Sequence, residues 1–209
     1  MSPRAYRMET REAAAAQTRE KILSAARDLL VGEAFSEFTM DAVARKADVS
    51  RLTVYYQFES KVGLLEALYN YIAKRGEMDR LADVFRHRSA PLTTLHDFIL
   101  VFARFWASDR DVIRRLHGLG AIDPEIAQSL RARNERRAQG LRVVVSRYTK
   151  TNSSLTSIEE PVAIDTLHML TSFETFDALA GSTRSFDDVV AILHRLAHHA
   201  IRFVARTQE

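Results

Sequence analysis

Apolar residues recur along most of this chain at the three- and four-residue spacing that places side chains on one face of an α-helix. Ile22, Ala26 and Leu29 follow this spacing after an alanine-rich stretch and predict a first helix over residues 12–31. A polar stretch over residues 149–157 is expected to form a loop. The same spacing predicts further helices over residues 40–46, 51–57, 61–75, 78–87, 92–108, 109–118, 124–149, 159–180 and 186–206.

Two of the predicted helices are short and follow each other closely. Thr39 and Ser50 precede them, and hydroxyl oxygens at such positions accept the free N–H groups of a first helical turn. Two short helices joined by a tight turn form a helix-turn-helix motif. Val54 and Phe58 share one face of the second helix, so its opposite face is expected to be exposed. Ser60 is suited to cap a fourth helix that follows without a linker.

The composition agrees with an all-α fold. Seven glycines and four prolines in 209 residues are too few for the many turns of an all-β protein. The absence of cysteine excludes a disulfide framework, a thiolate zinc site and a cysteine nucleophile. The net charge of +3 permits an anionic partner without requiring one. No apolar run reaches the roughly 18 residues that span a bilayer, so a cytoplasmic protein without membrane contact is expected.

Three stretches of the N-terminal quarter resemble the amino-terminal signature of TetR-type regulators. They are residues 39–50 (TMDAVARKADVS), 53–58 (TVYYQF) and 60–65 (SKVGLL). The sequence departs from the family pattern at Asp48, where a glycine is usual in the turn, and at Leu52. Aspartate is one of the few residues that tolerates a left-handed backbone, so the turn is expected to form.

The resemblance implies an all-helical homodimer with an N-terminal DNA-binding domain and a larger C-terminal domain for ligand binding and dimerisation. We accordingly expect a three-helix DNA-binding domain over residues 1–60, joined by the fourth helix to a second domain over residues 61–209. Regulators of this type are usually repressors that a small molecule releases from DNA.

A DNA-binding surface must neutralise phosphates and present side chains to base edges. Arg51 and Gln57 can form paired hydrogen bonds with guanine and adenine edges. The resemblance places phosphate contacts at Lys61 and Tyr55. Each of these residues could instead be an ordinary solvated side chain. The candidate DNA-binding residues are Thr39, Arg51, Leu52, Thr53, Tyr55, Tyr56, Gln57 and Lys61.

A homodimer needs an interface, because one short helix contacts too few base pairs and readers of this kind act in pairs. The predicted helices 159–180 and 186–206 are apolar on more than one side. Two copies of this helix pair would form a four-helix interface, although both helices could equally be core of a single chain. The candidate interface residues are Phe173, Phe176, Leu193, Leu196, Ala197, Ala200, Ile201 and Val204.

An aromatic stripe on the predicted helix 92–108 could line an apolar ligand pocket, or could be plain core. Arg137 interrupts the apolar stripe of helix 124–149, and a polar group on a buried line needs a partner. That partner could be an anionic ligand, Glu174 or water. The candidate pocket residues are Phe98, Phe102, Phe105, Trp106, His117, Asn134, Arg137, His168, Met169 and Phe173.

Two other classes of function are weaker interpretations of this sequence. It lacks the glycine-flanked serine, the phosphate loop, the dinucleotide motif and the His-Glu-x-x-His motif of common enzymes, so neither an enzyme nor a cofactor is expected. His194 and His198 could bind a metal but have no third ligand, so no metal site is predicted. A helical module that binds a protein or small molecule without DNA is the alternative. We hypothesise a ligand-responsive repressor that binds a pseudo-palindromic operator in double-stranded DNA as a homodimer.

Overall fold

The computed structural model describes residues 3–32, 38–86, 89–152 and 159–204, and within these ranges the regular structure is entirely helical. A single 3₁₀ turn, Met78–Arg80, precedes the fifth helix. The α-helices are α1 (Pro3–Val31), α2 (Met40–Lys46), α3 (Arg51–Phe58), α4 (Lys61–Arg75), α5 (Leu81–Arg86), α6 (Pro91–Ser108), α7 (Arg110–Gly120), α8 (Pro124–Asn152), α9 (Glu159–Leu170), α10 (Phe173–Ala180) and α11 (Phe186–Val204).

The starts of the two short N-terminal helices are fixed by the predicted hydroxyl caps. Thr39 Oγ1 accepts the Ala42 N–H at 3.1 Å before α2, and Ser50 Oγ accepts the Thr53 N–H at 3.0 Å before α3. Asp48, in the turn between these helices, has a φ of +50°. The helix-turn-helix motif and the left-handed turn at Asp48 are therefore confirmed.

Helix α4 connects the N-terminal helices with the rest of the molecule. It contacts α1 and α3 on one side and α6 and α8 on the other, while α1 also contacts α7. A single connected cluster of buried apolar side chains extends from Ile22 in α1 to Ile201 in α11. The N-terminal helices thus share a continuous core with the C-terminal helices. The boundary expected between residues 60 and 61 stays a prediction.

The helix expected over residues 159–180 is two helices, which corrects the sequence interpretation. The break falls at Thr171, whose backbone carbonyl accepts a hydrogen bond from Trp106 Nε1 at 3.0 Å. Ser172 Oγ then accepts the Thr175 N–H at 3.1 Å and caps α10. The Trp106 side chain of α6 thus binds the carbonyl at the break, and the capping serine starts the new helix.

Three other expectations differ from the structure in detail. Helix α1 begins at Pro3 rather than residue 12, and the element expected over residues 78–87 begins with the 3₁₀ turn. Helix α8 continues to Asn152 into the expected loop, whose remainder, residues 153–157, lies outside the described residues. Among the helices that the structure describes, none is long and apolar enough to cross a membrane.

Candidate DNA-binding face and ligand core

Helix α3 is anchored by two apolar side chains on its inner face. Val54 and Phe58 are buried, and both belong to the common core. Arg19 of α1 holds the end of the helix: its Nη1 donates to the Gln57 carbonyl at 2.8 Å, and its guanidinium lies 4.4 Å from the centroid of the Phe58 ring. The sequence interpretation missed Arg19, because its partner is a backbone carbonyl 38 residues away. These contacts fix which face of α3 meets solvent.

The outer face of α3 exposes large side chains that a solvated helix would not need. Leu52 is 78% exposed and Tyr56 is 87% exposed. Arg51 is exposed beside them, and its Nε lies 3.1 Å from Asp41 Oδ1. Arg51 Nη2 also donates to the Tyr55 hydroxyl at 3.5 Å, and this bond, with the charge of Asp41, raises the pKa of Arg51. The face therefore presents an oriented cation between apolar and aromatic groups.

Other candidate DNA-binding residues lie beside this face, on α3 and at the starts of α2 and α4. Lys61 is half-buried in the first turn of α4, with its Nζ 5.6 Å from the Phe38 ring centroid. Thr39 is exposed, while its hydroxyl caps α2. Gln57 and Tyr55 are half-buried on α3. The eight candidate DNA-binding residues thus come from three consecutive helix starts and the α3 face, and no described contact removes them from solvent.

The junction between α3 and α4 leaves no room for a side chain at Gly63. A Cβ atom there would lie 2.2 Å from the Phe58 carbonyl oxygen. Ser60 Oγ accepts the Gly63 N–H at 3.0 Å and caps α4 at the same point. The orientation of α3 relative to α4 is therefore set by direct backbone contact.

Most of the candidate pocket residues lie together in the core. Phe98, Phe102, Phe105, Trp106 and Phe173 are buried and form a chain of ring contacts with centroid separations of 4.6 to 6.0 Å. In this structure they pack against one another instead of lining an open cavity. This is the second of the two alternatives that the sequence allows, a hydrophobic core. Met169 lies apart from them, because its side chain is 59% exposed.

The candidate pocket set has four polar members, and two of them, His117 and Arg137, lie beside these rings. His117 Nδ1 lies 2.8 Å from Glu174 Oε1, and this hydrogen bond is the main reason that the pKa of Glu174 falls to about 2. Arg137 is 4% exposed, and its Nη2 lies 3.0 Å from His168 Nε2. His168 Nε2 also lies 3.1 Å from the backbone carbonyl of Asn134, whose side chain is half-buried. The structure thus brings together a buried cation, two histidines and several aromatic rings.

The candidate dimer residues divide into two groups. Phe173, Phe176, Leu193, Ala197 and Ile201 are buried within the chain's own core, so they have little surface to offer a second copy. They are core residues in this structure, because α10 and α11 pack on α6, and α9, α10 and α11 pack on one another.

The second group of candidate dimer residues keeps an outer surface. Leu196 is 43% exposed and Ala200 is partly exposed, while the side chain of Val204 lies outside the described residues. Val162 and Met169 on α9 are 54% and 59% exposed. Because α9 packs closely against α11, the exposed apolar side chains of this helix pair form one candidate face; we call Val162, Met169 and Leu196 the outer apolar face.

An open cleft that sequence reasoning missed lies between α6 and α11. Its volume is about 530 Å³, and its wall includes His96, His194 and His198. The rings of His96 and His194 stack with centroids 3.4 Å apart, and burial, followed by the charge of His96, lowers the pKa of His194. Within the described residues no group of three or more His, Cys, Asp or Glu side chains is placed to hold a metal ion.

Comparison with known proteins places this geometry among bacterial regulators. The model of a family described as bacterial regulatory proteins, tetR family, matches residues 22–68. The HTH-type transcriptional regulator SrpR of Pseudomonas putida is 36% identical over 77 residues, which are 37% of this chain and 36% of SrpR. AlkX of Mycobacterium tuberculosis, also an HTH-type transcriptional regulator, is 35% identical over 117 residues, which are 54% of this chain and 53% of AlkX.

The chain therefore spans between about a third and somewhat over half of the length of such relatives. Solved structures extend the likeness of fold to nearly the whole chain. The crystal structure of NalD, described as the secondary repressor of the MexAB-OprM multidrug efflux pump in Pseudomonas aeruginosa, has a TM-score of 0.66 at 23% identity. The match covers 94% of this chain and 100% of NalD.

Proposed function

We propose that this chain is a ligand-responsive repressor of the TetR type that binds a pseudo-palindromic operator as a homodimer; its residues 22–68 match the model of the tetR family of bacterial regulatory proteins. The observation that carries this proposal is the outer face of α3. Leu52 and Tyr56 are almost fully exposed beside Arg51, on a helix whose other face is locked into the core. Exposed apolar and aromatic groups next to an oriented arginine suit contact with thymine methyl groups and guanine edges in a major groove.

Direct base contacts and phosphate contacts have different consequences on this face. Arg51 is held by Asp41 and Tyr55 in the absence of DNA, and its guanidinium can exchange these partners for a base edge. Lys61 lies in the first turn of α4, where its ammonium and the N-terminal end of the helix favour a phosphate. Arg51 would therefore contribute sequence preference, and Lys61 would contribute affinity for any DNA.

The outer apolar face supports the homodimer. Exposed apolar side chains on neighbouring helices favour burial against a second copy, and a two-fold assembly requires the same patch on both copies. Such an assembly presents two α3 helices, which reach successive major grooves if they are about 34–36 Å apart. A small molecule that prefers a conformer with a different spacing would release the DNA, and the proposed site of action is the cytoplasm.

The DNA-binding part of the proposal is tested by selecting bound sequences from random duplexes with the full chain, followed by mobility-shift titrations. We expect a palindromic site with two half-sites about one helical turn apart. Lys61→Ala should weaken binding to all duplexes and lower the slope of log K against log salt by about 1.8, which is about 0.9 for each of the two phosphate contacts that a dimer loses. Arg51→Ala should change the preferred base at one position of each half-site.

A matched control is Arg142→Ala, since this arginine is an exposed cation on α8 paired with Glu135, and it should bind as the wild type does. If selection enriches no sequence, or if Lys61→Ala and Arg51→Ala both bind like the wild type, the assigned face is wrong. A protein-binding module without DNA contacts would give the first of these results.

The dimer is tested separately by analytical ultracentrifugation. Leu196→Glu and Met169→Glu each place a charge on the outer apolar face and should give a monomer that binds the full palindrome far more weakly. Ile122→Glu is the control, because Ile122 is 80% exposed after α7 and outside this face. If all three variants sediment like the wild type, the interface lies elsewhere.

A further inference from the structure

Arg137 is a buried cation whose hydrogen-bonding capacity is not met. The residue is 4% exposed, and its Nε is a buried donor with no hydrogen-bond partner. A buried N–H group without a partner is costly, and an unpaired buried charge is costlier still. Burial lowers the pKa of Arg137 to about 10, which still leaves the guanidinium charged at neutral pH.

The contacts that Arg137 does make are partly in conflict. Its Nη2 lies 3.0 Å from His168 Nε2 and 3.5 Å from the His168 carbonyl. The same His168 Nε2 lies 3.1 Å from the Asn134 carbonyl. A ring nitrogen either carries a proton and donates or lacks one and accepts, so it cannot satisfy the guanidinium and the carbonyl together. Only one of these two contacts of His168 Nε2 can therefore be a hydrogen bond at any one time.

No side-chain carboxylate of the described residues pairs with Arg137. The nearest candidate from the sequence, Glu174, is bound by His117 Nδ1 at 2.8 Å and acts on Arg137 only as a longer-range charge. Of the partners that the sequence left open, Glu174 is thus excluded as a direct ion pair in this structure. An anion from outside the chain is the chemistry that satisfies a planar guanidinium best, because a carboxylate accepts two parallel N–H bonds.

The groups around Arg137 define the rest of the ligand. The guanidinium carbon lies 5.9 Å from the ring centroids of both Phe102 and Trp106. Phe173 packs against Trp106 with a centroid separation of 5.6 Å. Aromatic walls beside a cation suit a molecule with a compact apolar body and one negative charge.

We propose that Arg137 binds the carboxylate of a small organic acid whose apolar body inserts between Phe102, Trp106 and Phe173. The proposal names the chemical class of the effector in the function proposed above, and rests on it for the regulatory role alone. Because these rings are packed together in this structure, the acid must bind a conformer in which they have parted. A ligand that binds this conformer alone has the differential affinity that a regulatory effector needs.

The binding test uses the full chain without DNA, so its outcome is independent of the operator. Trp106 is the only tryptophan of the chain, so its fluorescence reports directly on the site. Benzoate and cyclohexanecarboxylate are titrated against their uncharged amides, and affinities are confirmed by calorimetry. We expect saturable binding of the acids and at least tenfold weaker binding of the amides.

Three variants separate an anion site from a structural arginine. Arg137→Met removes the charge but keeps an apolar side chain of similar length, and should lose at least tenfold in affinity for the acids while melting at or above the wild-type temperature. Arg137→Lys keeps the charge but lacks the two parallel N–H donors of a guanidinium, and it should show intermediate affinity. Arg136→Met changes the exposed neighbouring arginine and should bind the acids like the wild type.

Two results would overturn the proposal. One is the failure of both acids to bind the wild type at millimolar concentration, or equal binding of acids and amides. The other is undiminished acid binding by Arg137→Met, or by Arg137→Lys if Arg137→Met fails to fold. If the acids bind through Arg137 but leave the operator complex intact, the anion site stands and only the effector role is lost.

Discussion

Arg137 and Asp48 each occupy a position that their residue type usually avoids. Asp48 adopts a φ of +50° in the turn of the helix-turn-helix motif, which a short polar side chain tolerates better than a bulky one. Arg137 is buried without a carboxylate partner. Both residues lie at a proposed functional part of the molecule: Asp48 lies beside α3, and Arg137 lies among the candidate pocket residues. Residues that break a local preference are expected at such places.

The buried cluster around His168 makes the stability depend on pH. Burial, and after it the charge of Arg137, lowers the pKa of His168 in the folded chain. The folded state therefore favours neutral His168, whereas an unfolded chain takes up a proton near pH 6.5. As pH falls below about 6.5, the free energy of unfolding should decrease until the folded state also becomes protonated. The stabilisation that neutral His168 provides is therefore fully present only above about pH 6.5.

Denaturant titrations between neutral and mildly acidic pH measure this effect. His168→Gln keeps a hydrogen-bonding side chain but cannot titrate, so its stability should fall less steeply with decreasing pH. His194→Gln should also reduce the dependence of stability on pH, since the pKa of His194 is lowered as well.

The effect of Arg137 on His168 is measured by NMR of the His168 ring protons. In Arg137→Met the pKa of His168 should rise, because a nearby positive charge has been removed. An unchanged pKa would show that the charge of Arg137 does not act on His168.

The elements that could be predicted from sequence are those fixed by nearby residues. Thr39, Ser50 and Ser60 each cap a helix through an N–H group three residues away, so the bounds of α2, α3 and α4 were visible in the local pattern. The break between α9 and α10 depends on Trp106, which lies 65 residues from Thr171 in the chain. No local pattern contains that contact, and propensity alone predicted one continuous helix.

The candidate pocket and the candidate dimer interface are harder to predict for a related reason. Apolar periodicity indicates which side chains avoid water, but it does not say whether they meet the same chain, a ligand or a second copy. Phe176 and Leu193 satisfy the pattern as core, whereas Leu196 satisfies it as exposed surface. Arg137 was identified as unusual because it interrupts an apolar stripe, and only the structure shows that Glu174 is engaged elsewhere.

Two glycines provide a matched test of how tightly the α3–α4 junction is built. Gly63→Ala places a Cβ atom against the Phe58 carbonyl and should lower the free energy of unfolding by about 1–3 kcal/mol. Gly118→Ala, in α7, meets no atom within 4 Å and should raise it by roughly 0.5–1 kcal/mol. Chemical denaturation measures both values. Gly63→Ala should also weaken operator binding, because α3 must move away from α4; equal effects of the two variants would contradict this.

At the scale of the whole molecule, the N-terminal helices and the aromatic residues of the candidate pocket are parts of one packed unit. The buried cluster passes from α1 through α4 into α6 and α11 without interruption. An ion pair adds a second connection: Arg27 of α1 contacts Asp109, at the junction of α6 and α7, through Nε at 2.5 Å and Nη2 at 3.1 Å. Asp109 lies three residues after Trp106, so this ion pair links α1 to the segment that carries Trp106.

A double-mutant cycle on Arg27 and Asp109 tests this connection. Arg27→Met leaves the 9%-exposed Asp109 side chain without its main partner, and Asp109→Asn removes the charge from the other side. Because Arg27 is itself one-third exposed, we expect a coupling of about 1 kcal/mol in the free energy of unfolding. A cycle on Arg80 and Glu77, an exposed pair, should give about 0.5 kcal/mol or less. If the N-terminal and C-terminal helices unfold as one cooperative unit, Trp106 fluorescence and far-UV circular dichroism should report the same unfolding transition in every variant. Separate transitions, or equal coupling in the two cycles, would mean that α1 moves independently of the ligand core.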